Sequence, residues 1–317
     1  MIAWLLFSWL TLVELNCENL FDSRHDSLKQ DEEFLPEGSY HWTRTRYWRK
    51  VDRVAQELAA CGGGSDGYGL PDLMALCEVE NDSVLVDLTR KSLLRTAGYD
   101  YVMTHSPDRR GVDVALVYSP FAFSLLNSYA MRVPLIRGMR PTRDILYASG
   151  RLIGGDTLHV FVVHAPSRLG GEMASRPFRM QVAKVLCRAI DSLKALNADA
   201  HIVVADDFND YTGSKSLSSI YTHGMSDVSA HARGRNGAKG TYRYHGEWGS
   251  LDHILVSSSL HNAVAKCYVA DEPFLLEDDE RYGGKKPRRN YLGPKYLDGF
   301  SDHLPLVAKF RMKDSDE

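Results

Sequence analysis

The chain has 317 residues, 44% of them hydrophobic and 25% charged, and a net charge of −3 at pH 7. Those values exclude a disordered or fibrous chain, and they exclude one that meets nucleic acid through an overall basic field, so an anionic substrate has to be met locally. Five scattered cysteines (Cys17, Cys61, Cys77, Cys187 and Cys267) without CxxC spacing exclude a zinc ribbon and a disulfide-dense scaffold, while leaving room for one bridge.

In chain order, MIAWLLFSWLTLV is apolar, uncharged and too short to span a bilayer alone. It lacks a basic n-region and a small-residue cleavage site, so residues 1–10 read as a lead-in that is either the remnant of a signal or anchor or the approach to a first strand; the remnant is favoured, because VELN (13–16) already supplies that strand. A remnant would place the protein in the cell envelope or outside the cell; otherwise the cytoplasm is expected. After a polar loop over 23–45, Trp48, Val51, Val54, Ala55 and Leu58 recur at helical spacing up to the glycines of CGGGSDG. LMALCEV (73–79) is a strand ending in acids, and a helix over 83–96 follows that Asp82 could cap.

YDYVMT, VDVALVY and FAFSLL then read as strands, and DILYASGRLI and TLHVFVVHA are joined by the hairpin signal Gly154-Gly155-Asp156. A long helix over 175–196 carries Val182, Val185, Leu186, Ile190 and Leu193 on one face. HIVVA, TYRY, LDHILV, VAKCYVA and LVAKFRM complete a strand-rich second half. No repeat, low-complexity tract or linker divides residues 11–317, so one domain and a monomer are expected. Many strands, few helices and hairpin connections predict a mixed α/β (α+β) chain: two sheets packed together, with helices outside.

Six segments each end an apolar run with groups that bind metal, phosphate or protons: LNCENLFD (15–22), ALCEVEND (75–82), VVHAPSR (162–168), ADDFND (205–210), SLDHI (250–254) and FSDHLP (300–305). One such segment is an ordinary turn start, but six in one chain are hard to explain as turns. The ordered set resembles the endonuclease/exonuclease/phosphatase superfamily, the fold of pancreatic-type deoxyribonuclease, over about residues 11–311, and DFND and SDHLP are its most specific parts. HWTRTRYW, HAPSRLGG and GGKKPRRNYLGPKYL look similar to a bacterial branch of hydrolases within it. The resemblance implies a four-layer α/β/β/α sandwich, with two mainly antiparallel sheets face to face and outer helices.

It also implies a divalent-metal-dependent phosphoesterase, in which a cation neutralises the phosphate and water attacks. Oxygen ligands favour Mg2+ or Mn2+ over zinc. By resemblance Glu78 is the main metal ligand, with Asn16 and Asp302 beside it. His303 would contact the phosphate and move a proton, with Asp252 on its other ring nitrogen, and His164 would be a second phosphate donor. Asp207 would orient or deprotonate the water and Asn209 would donate to a phosphate oxygen. Asp113 is a candidate partner for His164, and Arg168 a phosphate or loop-anchoring contact. His253 should face the other side of its strand and pack structurally.

Two departures stand out: Asp206 where the family has Gly, and Val163 where it often has Asn. They keep open a catalytically impaired relative that binds phosphate or nucleic acid. Basic residues interleaved with aromatics in HWTRTRYWRK (41–50) and RYGGKKPRRNY (281–291) suit a nucleic-acid backbone or a phosphorylated headgroup. The leading expectation is a nuclease-like phosphodiesterase. A phosphatase or a sphingomyelinase-like phospholipid phosphodiesterase acting on nucleotide or lipid headgroups is the alternative on the same fold.

Overall fold

The computed structural model describes residues 7–62 and 69–313, without the side chains of Phe7, Asp206 and Lys313. Two six-stranded sheets form its centre. The first comprises β1 (Phe7–Leu20), β2 (Leu73–Val79), β3 (Asp100–Met103), β4 (Asp113–Tyr118), β13 (Val264–Val269) and β18 (Leu306–Lys313), in the order β13-β18-β1-β2-β4-β3. The second comprises β5 (Phe123–Met131), β6 (Ile145–Leu152), β7 (Thr157–His164), β8 (His201–Asp207), β9 (Met225–Asp227) and β12 (Asp252–Ser257), in the order β5-β6-β7-β8-β12-β9. Three hairpins lie outside them: β10–β11 (Tyr242–Tyr244, Glu247–Gly249), β14–β15 (Leu276–Asp278, Lys285–Pro287) and β16–β17 (Tyr291–Leu292, Lys295–Tyr296).

Strand alternation sorts the apolar residues into layers. Leu10, Leu12, Ala75, Cys77, Val160, Val162, Val203, Ala205, Ile254 and Val256 meet between the sheets. Val13, Leu15, Met74 and Leu76 face outward under α1 (Arg44–Ala60) and α2 (Asp82–Arg90). Phe161, Val163, Ile202, Val204 and Leu255 face outward under α3 (Glu172–Leu196) and α4 (Lys215–Tyr221). This is the four-layer sandwich. Val163 therefore belongs to the helix-covered layer and not to a cleft.

Each sheet is antiparallel except for one parallel pair, β1–β2 in the first and β7–β8 in the second. In both, a helix carries the chain across, as a parallel pair requires. The carboxyl ends of these pairs hold Asn16 and Glu78 in one sheet and His164 and Asp207 in the other. Ligands gather at such strand ends because the loops that leave them are free to vary.

Several boundaries differ from the sequence reading. β1 begins at Phe7, and residues 7–10 pair with residues 310–313 of β18, so the described part of the apolar lead-in is strand; residues 1–6 lie outside the described residues. Asn81, not Asp82, caps α2, accepting from the Val84 amide at 3.1 Å. That helix stops at Arg90 and not at 96, because the amides of Lys91 and Ser92 both turn back onto the Asp87 carbonyl. Among the described residues no disulfide joins the five cysteines.

Much of the two basic segments is engaged within the protein, while Arg44 and Arg281 stay exposed. Trp42 is fully buried and donates to the Phe21 carbonyl at 2.9 Å. Arg46 donates to the Tyr40 and His41 carbonyls and lies over the Tyr296 ring. Arg49 pairs with Asp298 at 3.2 Å, and the buried Lys50 ammonium donates to the Phe300 carbonyl. Arg289 joins Glu18 and Asp302, at 3.2 and 3.1 Å. The aromatic and basic residues brace the loop that carries Asp302 and His303, which explains their interleaving without a stacked base.

Glu57, on the buried face of α1, has no hydrogen-bond partner for either carboxylate oxygen. Burial pushes its carboxyl up to about 8, against the smaller lowering effect of Lys50. A carboxyl raised on folding stabilises the fold fully below its ordinary value of 4.5, and that contribution is lost as pH rises to about 8. Glu57→Gln should remove this dependence: urea titrations from pH 5 to 8 should show the stability gap shifting in the variant's favour by roughly 1.4 kcal/mol per pH unit. A constant gap would contradict the assignment.

Candidate functional site

Alternation continues past the apolar runs and aims the polar residues. In β8 the series Val203, Ala205 faces the inter-sheet layer, and Asp207 is the next residue on that side. In β12 the same holds for Asp252 ahead of Ile254 and Val256, and in β7 for His164 after Val160 and Val162. His164 and Asp207 are direct register partners, and so are Asp252 and Asp207. In β1, Asn16 follows Leu10 and Leu12 on the inner side.

Glu78 breaks the pattern. Plain alternation would send it outward with Met74 and Leu76, but its φ is +61° and the register of β2 shifts between Cys77 and Val79. The bulge turns its carboxylate toward the site, where Oε2 accepts from the Asn19 amide at 2.9 Å. β1 shifts opposite it, with Glu18 and Asn19 at φ +49° and +56°. Non-glycine residues held at positive φ on both strands indicate strain tolerated for position.

The side chains converge across the gap between the sheets. Asn16 Nδ2 donates to Asp207 Oδ2 at 3.0 Å, and His164 Nε2 lies 3.6 Å from that oxygen and 3.9 Å from Glu78 Oε1. His303 Nδ1 meets both oxygens of Asp252, at 2.9 and 2.8 Å, and Thr241 also donates to that carboxylate. Donor atoms of Asp207, Asp252 and His303 all lie within 4.8 Å of one another. The Asn209 amide donates to Asp207 Oδ1 at 2.9 Å, and its side chain donates to the Ala165 carbonyl at 3.1 Å.

Electrostatics separate the members. Burial, reinforced by the Asp252 charge, pushes the Asp207 carboxyl up to about 7 against the pull of His303 and Asn16. Burial alone would lower His303, but Asp252, with Asp207 and Asp302, holds it well above the ordinary histidine value. His164 is driven well below that value by burial and by the charges of Arg143, Arg110 and His303. Burial would raise Glu78, but Arg110, donating to Oε1 at 3.0 Å, keeps its carboxyl below the ordinary value. The same cleft thus pushes one imidazole down, the other up, and the carboxyl between them up.

The remaining sequence candidates find other partners. Asp113 does not reach His164: its carboxylate accepts from Thr104 Oγ1 at 2.5 Å and the Ser106 amide at 3.0 Å, because these lie on the adjoining loop. His164 Nδ1 has no hydrogen-bond partner. Arg168 pairs with Asp210 at 3.5 Å and lies over the Tyr211 ring, which is the loop-anchoring role. Asp302 stands on Arg289, beside Glu18. His253 packs behind the strand, on Asp227 and the Asp210 carbonyl, each at 3.0 Å. The backbone of Asp206 pairs with Val163 and His253, and its side chain lies outside the described ones.

Arg110, Arg143 and Arg179 were not singled out in the sequence. Arg143 donates to the carbonyls of His164 and Ala165, at 3.2 and 2.7 Å, and Arg179 pairs with Asp210 at 3.0 Å. A signal existed for the first two: PDRRG and RVPLIRGMRPTR place arginines in loops flanking strands.

Among the described residues, the acids and histidines whose ligand atoms lie close enough together to hold a metal are Asp207, Asp252 and His303, and the carboxylate oxygens in that group suit a hard divalent cation. Glu78 and Asp302, the ligands the resemblance implies, are not in that group: Glu78 pairs with Arg110 and Asp302 with Arg289.

Residues 11–312 match the model of the Endonuclease/Exonuclease/phosphatase family. No curated protein matches the chain by sequence. An endonuclease/exonuclease/phosphatase family protein from Bacteroides thetaiotaomicron superposes with a TM-score of 0.63 at 17% identity, over 98% of this chain and 100% of its own. A mannosyl-6-phosphatase from the same species gives 0.60 at 18% identity, over 94% and 98%. The human Nocturnin catalytic domain with bound sulfate gives 0.52 at 17%, over 96% and 97%. At these identities the likeness is one of fold.

Proposed function

We infer that this chain, which belongs to the endonuclease/exonuclease/phosphatase family, a family of phosphoester hydrolases, cuts a phosphodiester with the help of Mg2+ or Mn2+. The observation that supports the reading most is the convergence of Asn16, His164 and Asp207, with His303 held on Asp252, across the gap between the sheets. Burial and neighbouring charges push His164 down and His303 up, and groups pushed apart in this way divide acid from base work.

Glu78, with Asn16 and Asp302, would hold the cation, whose charge would offset that of the phosphate. Asp207 accepts the proton of the attacking water, and Asn16 and the Asn209 amide fix its orientation. His303, held by Asp252, donates to the phosphate and delivers a proton to the leaving oxygen. His164 donates a second hydrogen bond from Nε2 while remaining neutral, with Arg143 fixing the backbone behind it.

A phosphatase acting on a compact phosphorylated molecule is the second reading. It is favoured by the internal engagement of Arg46, Lys50 and Arg289, which weakens the sequence's argument for a nucleic-acid groove. Plasmid nicking, a chromogenic diester, a phosphomonoester and sphingomyelin, each assayed with and without EDTA, separate the readings. Diester cleavage should be lost in EDTA and restored by Mg2+ or Mn2+. Activity on the monoester alone would select the phosphatase, and metal-independent cleavage would sink both.

A further inference from the structure

A cavity of about 430 Å³ opens between the β3–β4 loop, the β5–β6 loop and the turn after β7, and two of its lining residues, Arg143 and Arg110, touch the His164 carbonyl and the Glu78 carboxylate. Its charge contrasts with that of the whole chain. Arg109, Arg110, Arg140 and Arg143 line it, and Asp108 is the only acid among the lining residues. Asp108 is already engaged, accepting from the Arg110 amide at 2.9 Å and from Arg143 at 3.3 Å. Arg143 is fixed under His164, and Arg110 reaches Glu78.

Arg109 and Arg140 remain. Both are exposed, and neither guanidinium has an ion pair or hydrogen bond among the described residues. Thr142 adds a second, independent sign: it lines the same cavity, is 5% exposed, and its Oγ1 has no hydrogen-bond partner among the described residues. A buried hydroxyl without a partner is costly unless something supplies one. The lining between these donors is apolar, through Met139, Pro141, Pro166 and Phe178.

We propose that this cavity is a subsite for a second phosphate of the substrate, carried on a ring whose other phosphate lies at the catalytic residues. The position of the first phosphate rests on the phosphoester reading above. A ring packs against Phe178 and Met139, and the second phosphate meets the forked donors of Arg109 and Arg140 and the Thr142 hydroxyl. A neutral substituent would leave both guanidiniums in water and gain little from them. The bridging chemistry, two phosphates on one sugar or nucleoside, occurs within a nucleic-acid strand and in free sugar phosphates.

Calorimetry in Mg2+ tests it, with His303→Ala as background to slow turnover. Thymidine 3′,5′-bisphosphate is compared with thymidine 5′-monophosphate, and glucose 1,6-bisphosphate with glucose 6-phosphate. The bisphosphate of at least one pair should bind about tenfold or more tightly, and adding Arg109→Gln and Arg140→Gln should erase that preference. A preference within the nucleoside pair points to nucleic acid, and one within the sugar pair to free sugar phosphates. No preference in either pair, or one that survives both substitutions, would overturn the subsite. Should the preference hold while wild type hydrolyses no phosphoester, the subsite stands and the hydrolase reading fails.

Discussion

His303→Ala should lower phosphoester hydrolysis about 10³-fold, the range expected when a positioned proton donor is removed. It also leaves Asp252 buried, with Thr241 as its remaining side-chain donor and Asp207 as a repelling neighbour. Some stability should go with the activity. The double variant His303→Ala/Asp252→Asn separates the two effects, because it removes the stranded charge without supplying a proton donor. Thermal melts should recover toward wild type while turnover stays low. Turnover recovering together with stability would mean that His303 only props the loop.

Arg179→Leu should cost about 3–5 kcal/mol in urea unfolding, the penalty for stripping one partner from a buried ion pair. Arg179 is 1% exposed, donates to Ser175 Oγ at 2.8 Å and forms an ion pair with Asp210 Oδ2 at 3.0 Å. Asp210, equally buried, would keep Ser216 at 2.7 Å and the more distant Arg168. Because Asp210 closes the turn that carries Asp207 and Asn209, hydrolysis should fall with stability. Pairing the change with Asp210→Asn should restore part of the lost free energy. An additive loss in the double variant would show that the two side chains are not coupled.

The architecture was legible because alternation is a local rule. It distinguished Asp252 from His253, and the structure places them on opposite faces of β12. It could not place Glu78, since the bulge that redirects it arises from pairing with β1, a strand some sixty residues earlier. Proximity of Glu78 alone suggested nothing about Arg110, which comes from a loop between other strands. The basic segments are ambiguous for a related reason. Arginines beside aromatics are suited to a nucleic-acid backbone and equally suited to a protein loop with free carbonyls, and the sequence does not show which is nearby. Asp113 was a candidate partner for His164, but Thr104 and Ser106, on the neighbouring loop, take its carboxylate.

Asn16 and Glu78 hang from one sheet, and His164, Asp207 and Asp252 from the other. The apolar layer between the sheets is therefore a spacer that fixes the gauge of the catalytic gap. A change of one methylene at Val160, Val203 or Ile254, well back from the strand ends, alters that gauge while exposing no polar group. Interiors this dense transmit such a change and do not absorb it. Such a change costs folding stability, as any cavity or overpacking does, and it also moves the strand ends that carry these side chains.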